Sequence, residues 1–350
     1  MDTVVRAREP RLSWLVGVIA AVAAIWLLRS AAIVFIPLAV SFFIAIGVHP
    51  VHAYLRRRVP RPRWIPTAVT MAIIVAIVGG AMWAMAESVD EAVEAAPKYA
   101  DRVDQLWRQM DQAARGLGIT IPDNLFASGG LQQRLGDVAT AAARTVWEIV
   151  SGMVLVFFLV LLMLLEAHVW SENTRRLLRN HRGERTLETI AGVAVKVRQY
   201  LYVRTVLGAA SAAAAAAWLL ALQVDLVVIW VVLTFALNYI PNLGSVIAVF
   251  PPALMAALQY GWVWGLVTLA GLALIEQVIG NFVDPRMQGR RLQLSPVIVL
   301  VSLVFWTWLW GAVGALLAVP MTVLLLTAAS HVPSLHPYTT LAAAEEIADA

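Results

Sequence analysis

The 350-residue sequence contains no cysteine. Disulfides, thiolate metal sites and cysteine nucleophiles are therefore excluded, while the compartment stays open. Charge is scarce: Asp, Glu, Lys and Arg make up 14% of the chain. The six histidines (His49, His52, His168, His181, His331 and His336) fall in expected loops and tails, without an HExxH pair or ligand-like clustering. A histidine metal site is not expected. Neither a GxxxxGKS/GxxxxGKT phosphate loop nor a GxSxG elbow occurs, which argues against an ATP-driven pump or a serine hydrolase of those types. No cofactor is implied, and the chain does not read as an enzyme.

What the sequence has in excess is apolar surface. It is 61% hydrophobic with mean hydropathy +0.77, more than a soluble protein of this size can bury. The apolar blocks are long and rich in Ala, Val and Leu, unlike the ten-residue alternating strands of an outer-membrane barrel. The expected fold is all-α and polytopic, with membrane lipid as a partner. The net charge of +4 does not imply nucleic acid, because the basic residues cluster beside apolar blocks, where they orient membrane proteins.

The first two apolar blocks, 12–28 and 31–48, are so close that a retained hairpin is expected instead of a cleaved signal, with Arg29 and Ser30 at its tip. Arg56, Arg57, Arg58, Arg61 and Arg63 come next without an acidic neighbour, which places this loop and the N-terminus in the cytoplasm. A third span, 65–86, closes an N-terminal region of residues 1–86. The stretch 87–145 carries nine acidic against six basic residues and is expected outside, as amphipathic helices. Span 146–165 returns to a segment, 166–204, with eight basic residues against four acidic ones, again cytoplasmic by the charge rule. A fifth span, 205–222, contains Ser211 to Ala217, six alanines after a serine, where another helix can approach closely.

The C-terminal core, 205–328, contains a repeat. LGSVIAVFP (Leu243 to Pro251) returns 70 residues later as VGALLAVP (Val313 to Pro320), each copy sitting at a break in an apolar run. The arms before the breaks, 226–240 and 296–310, have 15 residues each and rise roughly 22 Å, short of a hydrocarbon core about 30 Å thick. Two short-armed hairpins are expected, 226–258 and 295–328, either re-entrant or fully spanning. Between them, 262–282 crosses, and the loop 284–294 carries Arg286, Arg290 and Arg291 against Asp284, as a cytoplasmic loop should. Hairpins entering from opposite faces form an inverted repeat, which many secondary transporters use to build a midplane site. Counting each hairpin once, there are about eight membrane segments, and a cytoplasmic tail, 329–350, ends the chain.

The strings ALNYIPNLGSVIAVFPPALMAAL and LIEQVIGNFVDPRMQGRRLQLSPVIVLVSLVFWTWLWGAVGALLAVPMTVLLL resemble the AI-2E family of transporters. The resemblance covers most of the chain in layout, with the diagnostic strings between about residues 200 and 326. It implies a bacterial or archaeal inner-membrane protein with eight spans, with family members linked to export of the signal autoinducer-2 and others to sodium/proton exchange. The substrate is not inherited from the family name.

The chemistry of the membrane singles out candidate solute- or ion-binding residues. Glu276, Gln277 and Asn281 lie in an otherwise apolar span, where ionisable and polar groups usually face a cavity or a partner. The competing reading pairs Glu276 with Arg286 or Arg290 as a topology lock. Asn238, Tyr239 and Asn242 sit at the first hairpin tip beside Pro241 and Gly244, where interrupted backbone exposes unpaired groups; a plain turn is the alternative. The second tip, with Gly311 and Gly314, has no polar side chain between Trp310 and Gly314. Pro251 and Pro320 are hinge or gate candidates, since each removes an amide donor from an apolar helix; simple packing kinks are the alternative. Ser295 and Pro296 read as a helix start. The expectation is secondary or passive export of a small polar solute, with H+ or Na+ as a coupling-ion candidate and a homo-oligomer as a candidate assembly. Its alternatives are a monovalent cation/proton antiporter and a non-transporting scaffold acting through the external insert.

Overall fold

The computed structural model describes residues 9–59, 62, 64–116, 141, 144, 148, 151–167, 172–173, 181–241, 243–288 and 295–330. Among them there are helices and turns and no strand. The helices are α1 (Glu9–Ser30), α2 (Ala32–Arg58), α3 (Trp64–Gly116), α4 (Ser151–Ala167), α5 (His181–Ala221), α6 (Val227–Leu237), α7 (Leu243–Tyr260), α8 (Trp262–Val278) and α9 (Pro296–Ser330). Six stretches are long and apolar enough to cross a membrane, one of them running from α8 on to Met287, and Val16–Ser30, Ser151–Ala167 and Val227–Leu237 are shorter apolar helices. The protein is an all-α, multi-pass membrane protein. Two compact units make it up, Met1–Ala45 with Leu294–Ala350, and Ile46–Gln293.

In the first unit, α1 and α2 are separated by the single residue Ala31, one position from the expected tip. α9 starts at Pro296, with the Ser295 carbonyl accepting from the Val299 amide at 3.1 Å. Its helical backbone breaks at Trp310 (φ −130°, ψ 17°) and Gly311 (φ 62°, ψ −142°). That last conformation is open to glycine and closed to side chains with a Cβ. Beyond the break the chain folds back so tightly that a Cβ on Gly314 would lie 1.9 Å from the Trp306 carbonyl oxygen. The indole of Trp306 donates to Thr322 at 3.1 Å across the break, and that of Trp310 donates to the Leu28 carbonyl at 3.1 Å. Arg29 stacks over Trp308 at 4.5 Å. Pro320 is fully buried inside helix, and the departure from helical backbone lies at Trp310 and Gly311 instead.

In the second unit two helices run further than the hydropathy breaks imply. α3 continues past the third span for 53 residues in all, because the Glu, Ala, Gln and Arg beyond the span change the solvent preference without lowering helix propensity. α5, 41 residues long, likewise carries the basic segment into the fifth span, so the membrane-compatible stretch starts at Ala191 and not at Thr205.

The first hairpin, α6 and α7, turns through Asn238–Pro241. Proline supplies no amide and disfavours helix at the residue before it, so the arm stops there. The Gly244 amide donates to the Ile240 carbonyl at 3.0 Å, and a Cβ on Gly244 would lie 1.7 Å from the Leu237 carbonyl oxygen. Pro251 and Pro252 sit inside α7, which continues to Tyr260. α7 and α8 pack at glycine distance: a Cβ on Gly265 would meet that of Ala257 at 2.6 Å. Gly271 accepts the indole of Trp218 from α5 in the same way, at 2.2 Å. Around these contacts Ala215, Leu219, Met255, Ala256 and Leu272 form the core.

Candidate functional site

α8 does not end as an ordinary helix. After Val278 it widens into a π-turn, Ile279–Val283, before resuming at Asp284–Gln288. Isolated π-turns are rare and recur at functional sites. This one borders a cavity of about 470 Å³ in the second unit, lined from α5, the first hairpin, α8 and the π-turn.

Four of the expected residues meet there: Asn238, Glu276, Gln277 and Asn281. Glu276 is 9% exposed, with the hydroxyls of Ser245 and Ser211 as its polar neighbours. Ser211, wholly buried, in turn accepts the amide of Asn238 at 3.2 Å. Amide and hydroxyl thus join the hairpin tip to α5, with the Glu276 carboxylate of α8 nearby. Of the two arginines that a topology lock would pair with Glu276, Arg290 lies outside the described residues.

Tyr239 faces α5 and does not line the cavity. Its carbonyl accepts from the Tyr200 hydroxyl at 3.0 Å, and its own hydroxyl lies 2.7 Å from that of Thr205. Its position ties the tip to the neighbouring helix. Asn242 lies outside the described residues. Pro241 and Gly244 shape the tip, while Gly311, Gly314 and Pro320 belong to the first unit described above.

Three lining groups were not expected as site residues: Arg204, Ser245 and Asp284. Arg204 and Asp284 form an ion pair at 3.2 Å, with side chains 11% and 18% exposed. The guanidinium also lies 5.7 Å from the Tyr200 ring. By charge counting Arg204 closes a cytoplasmic basic segment; in the fold it lies in the membrane-compatible part of α5, where an acidic partner offsets part of the burial cost.

The arrangement offers donors and acceptors for a polar solute inside an apolar helical unit. Sequence comparison agrees on the class. TqsA of Escherichia coli K12, named as an AI-2 transport protein, is 31% identical over 298 residues, covering 85% of this chain and 86% of its own. A Haemophilus influenzae relative whose name gives transport without a substrate is 28% identical over 334 residues, covering 93% of this chain and 95% of its own. YhhT of Escherichia coli K12 is 29% identical over 301 residues, with 84% of each chain covered. The sequence profile of the AI-2E family transporters matches residues 15–334, nearly all of the membrane-embedded chain, and the protein belongs to that family of membrane transporters.

Proposed function

We propose that this chain exports a small polar solute, such as an autoinducer-2-like signal, across the bacterial cytoplasmic membrane by secondary or passive transport. The observation that carries this reading is the set of polar groups Asn238, Ser245, Glu276, Gln277 and Asn281 lining a cavity of about 470 Å³, with Asn238 anchored to Ser211. That volume falls within the usual range for small-molecule sites, about 300–1,000 Å³. A carboxylate in a span costs several kcal/mol unless it faces a cavity or partner. Here it faces both. The transport name of TqsA supports the solute class, while Glu276, Gln277, Asn281 and Asn238 are proposed as binding residues and the two hairpin breaks as gates.

The same reading has both termini and the loop after α2 in the cytoplasm, the insert outside, and the hairpins entering from opposite faces, with a homo-oligomer as its assembly. Reconstitution in liposomes with an imposed proton or sodium gradient tests it. Solute flux is expected in the wild type and a loss of at least about tenfold in Glu276→Gln, equivalent to about 1.4 kcal/mol. Equal flux in the two proteins would overturn the role of Glu276.

One observation favours a second reading, monovalent cation/proton antiport. Arg204 is engaged with Asp284, which leaves Glu276 at the cavity wall for a cation or proton. A proton flux that tracks the sodium or potassium gradient, without added organic solute, would select this reading. If no gradient-dependent flux of any kind occurs, the scaffold reading gains.

A further inference from the structure

The ion pair beside the cavity is incomplete. Arg204 offers Nη1 to Asp284 at 3.2 Å, but among the described residues its buried Nε has no hydrogen-bond partner. A guanidinium can bind a carboxylate through two parallel bonds, and a permanent structural pair usually does so. The acidic partner sits where a change of helix register would redirect it. Asp284 is the first residue after the π-turn, and relaxing a π-turn to α-helix alters the register by one residue, which rotates the helix beyond it by roughly 100°. Space for such a change exists at Gly280 inside the turn, since nothing lies within 4 Å of where its Cβ would be. On the other side of the turn, Glu276 lines the same cavity as Arg204 and Asp284.

We propose that the Arg204–Asp284 pair is a releasable latch on this cavity, closed when the π-turn is formed and opened when it relaxes. In the closed state it ties α5 to the end of α8. In the open state Asp284 swings off Arg204, and the lining of α5 next to it, including Leu207, becomes accessible. Arg204 and Asp284 act here as positioning residues for the cavity; Glu276 stays the solute-facing group.

The absence of cysteine from the natural sequence makes the test clean. Leu207 lines the cavity and is 1% exposed, so a thiol in Leu207→Cys reports opening. Against Leu207→Cys alone, adding Asp284→Asn is expected to raise the rate of maleimide labelling about tenfold, the response of a minor open state made common. Restoring the pair in reverse, with Arg204→Asp and Asp284→Arg together, is expected to return labelling towards the starting rate. A merely structural pair predicts another pattern: no change with Asp284→Asn in protein that still elutes as a folded species, or no rescue by the swap. Either outcome overturns the latch.

These labelling readouts need no transport substrate, so they stand whether or not the proposed function holds. A second arm rests on that function. In Arg204→Cys/Asp284→Cys, a reducible bifunctional thiosulfonate cross-linker should hold the latch shut, reduce solute flux at least about tenfold, and release it on reduction. Labelling that responds to Asp284→Asn without any wild-type flux would keep the latch and sink the transport reading. Unchanged flux in the cross-linked protein would sink the latch alone.

Discussion

At the level of single residues, the repeated glycines have a steric task. A methyl group at Gly244 would collide with the Leu237 carbonyl at 1.7 Å, and one at Gly314 with the Trp306 carbonyl at 1.9 Å. Both collisions involve backbone, which has no rotamer to escape into. Gly244→Ala and Gly314→Ala are each expected to destabilise by at least roughly 1–3 kcal/mol, read as a lower melting midpoint or lost monodisperse protein in detergent. Wild-type melting for either would show that the arms can part without cost. Glu276 and Asn238 were legible because a polar side chain in an apolar run is conspicuous. Ser211 was not, since next to six alanines it reads as close packing, and its bond to Asn238 exists only in the fold. Arg204 was passed over as a site residue for the opposite reason: it closes a basic block, and charge counting has no way to see Asp284 opposite it.

At the level of elements, the first hairpin is fastened at its base as well as at its tip. The turn before α6 carries two non-glycine residues in the left-handed region, Gln223 at φ 53° and Leu226 at φ 61°. Such residues cost of order 1–3 kcal/mol each and persist where the surroundings hold them. Here the surroundings converge on Asp225. Its carboxylate accepts from the Tyr99 hydroxyl of α3, its amide donates to Gln259 at 3.0 Å, and its carbonyl accepts from the Trp230 indole at 2.9 Å. The extension of α3 beyond the membrane-compatible stretch therefore steadies the hairpin that bears Asn238. Tyr99→Phe should lower stability by about 1.5–3 kcal/mol, the usual range for a hydrogen bond to a charged group, and a melt unchanged from wild type would contradict this.

Burial first, and the bond to Asp225 second, raise the Tyr99 phenol above its ordinary value of 10.0. A phenol that holds its proton more tightly when folded contributes stability that is complete below pH 10 and is lost as pH rises above it. Melting of wild type should therefore fall more steeply than that of Tyr99→Phe above about pH 10. The continuity of α3 and α5 was not legible in the hydropathy profile, because a change from apolar to charged helix formers leaves the backbone undisturbed. The π-turn had no sequence signature either. Gly280 and Asn281 mark the place only after the widened turn is seen.

For the molecule as a whole, class and family were the most legible features. Long apolar blocks demand helices because unpaired backbone is intolerable in lipid, and the two glycine-proline strings singled out the hairpins. Orientation rests on charge. The insert extension is expected outside, so Arg102→Cys, an exposed position on α3, should react with a membrane-impermeant maleimide in intact cells. Reaction only after lysis would invert the topology. If solute passes through the cavity beside Glu276, its route runs past Val246, which lines that cavity from α7 with an apolar side chain. The most direct measurement is solute flux by Val246→Cys in liposomes before and after its single thiol is capped with a bulky maleimide. Flux should be present before capping and nearly abolished after it. Undiminished flux through fully capped protein would place the route elsewhere.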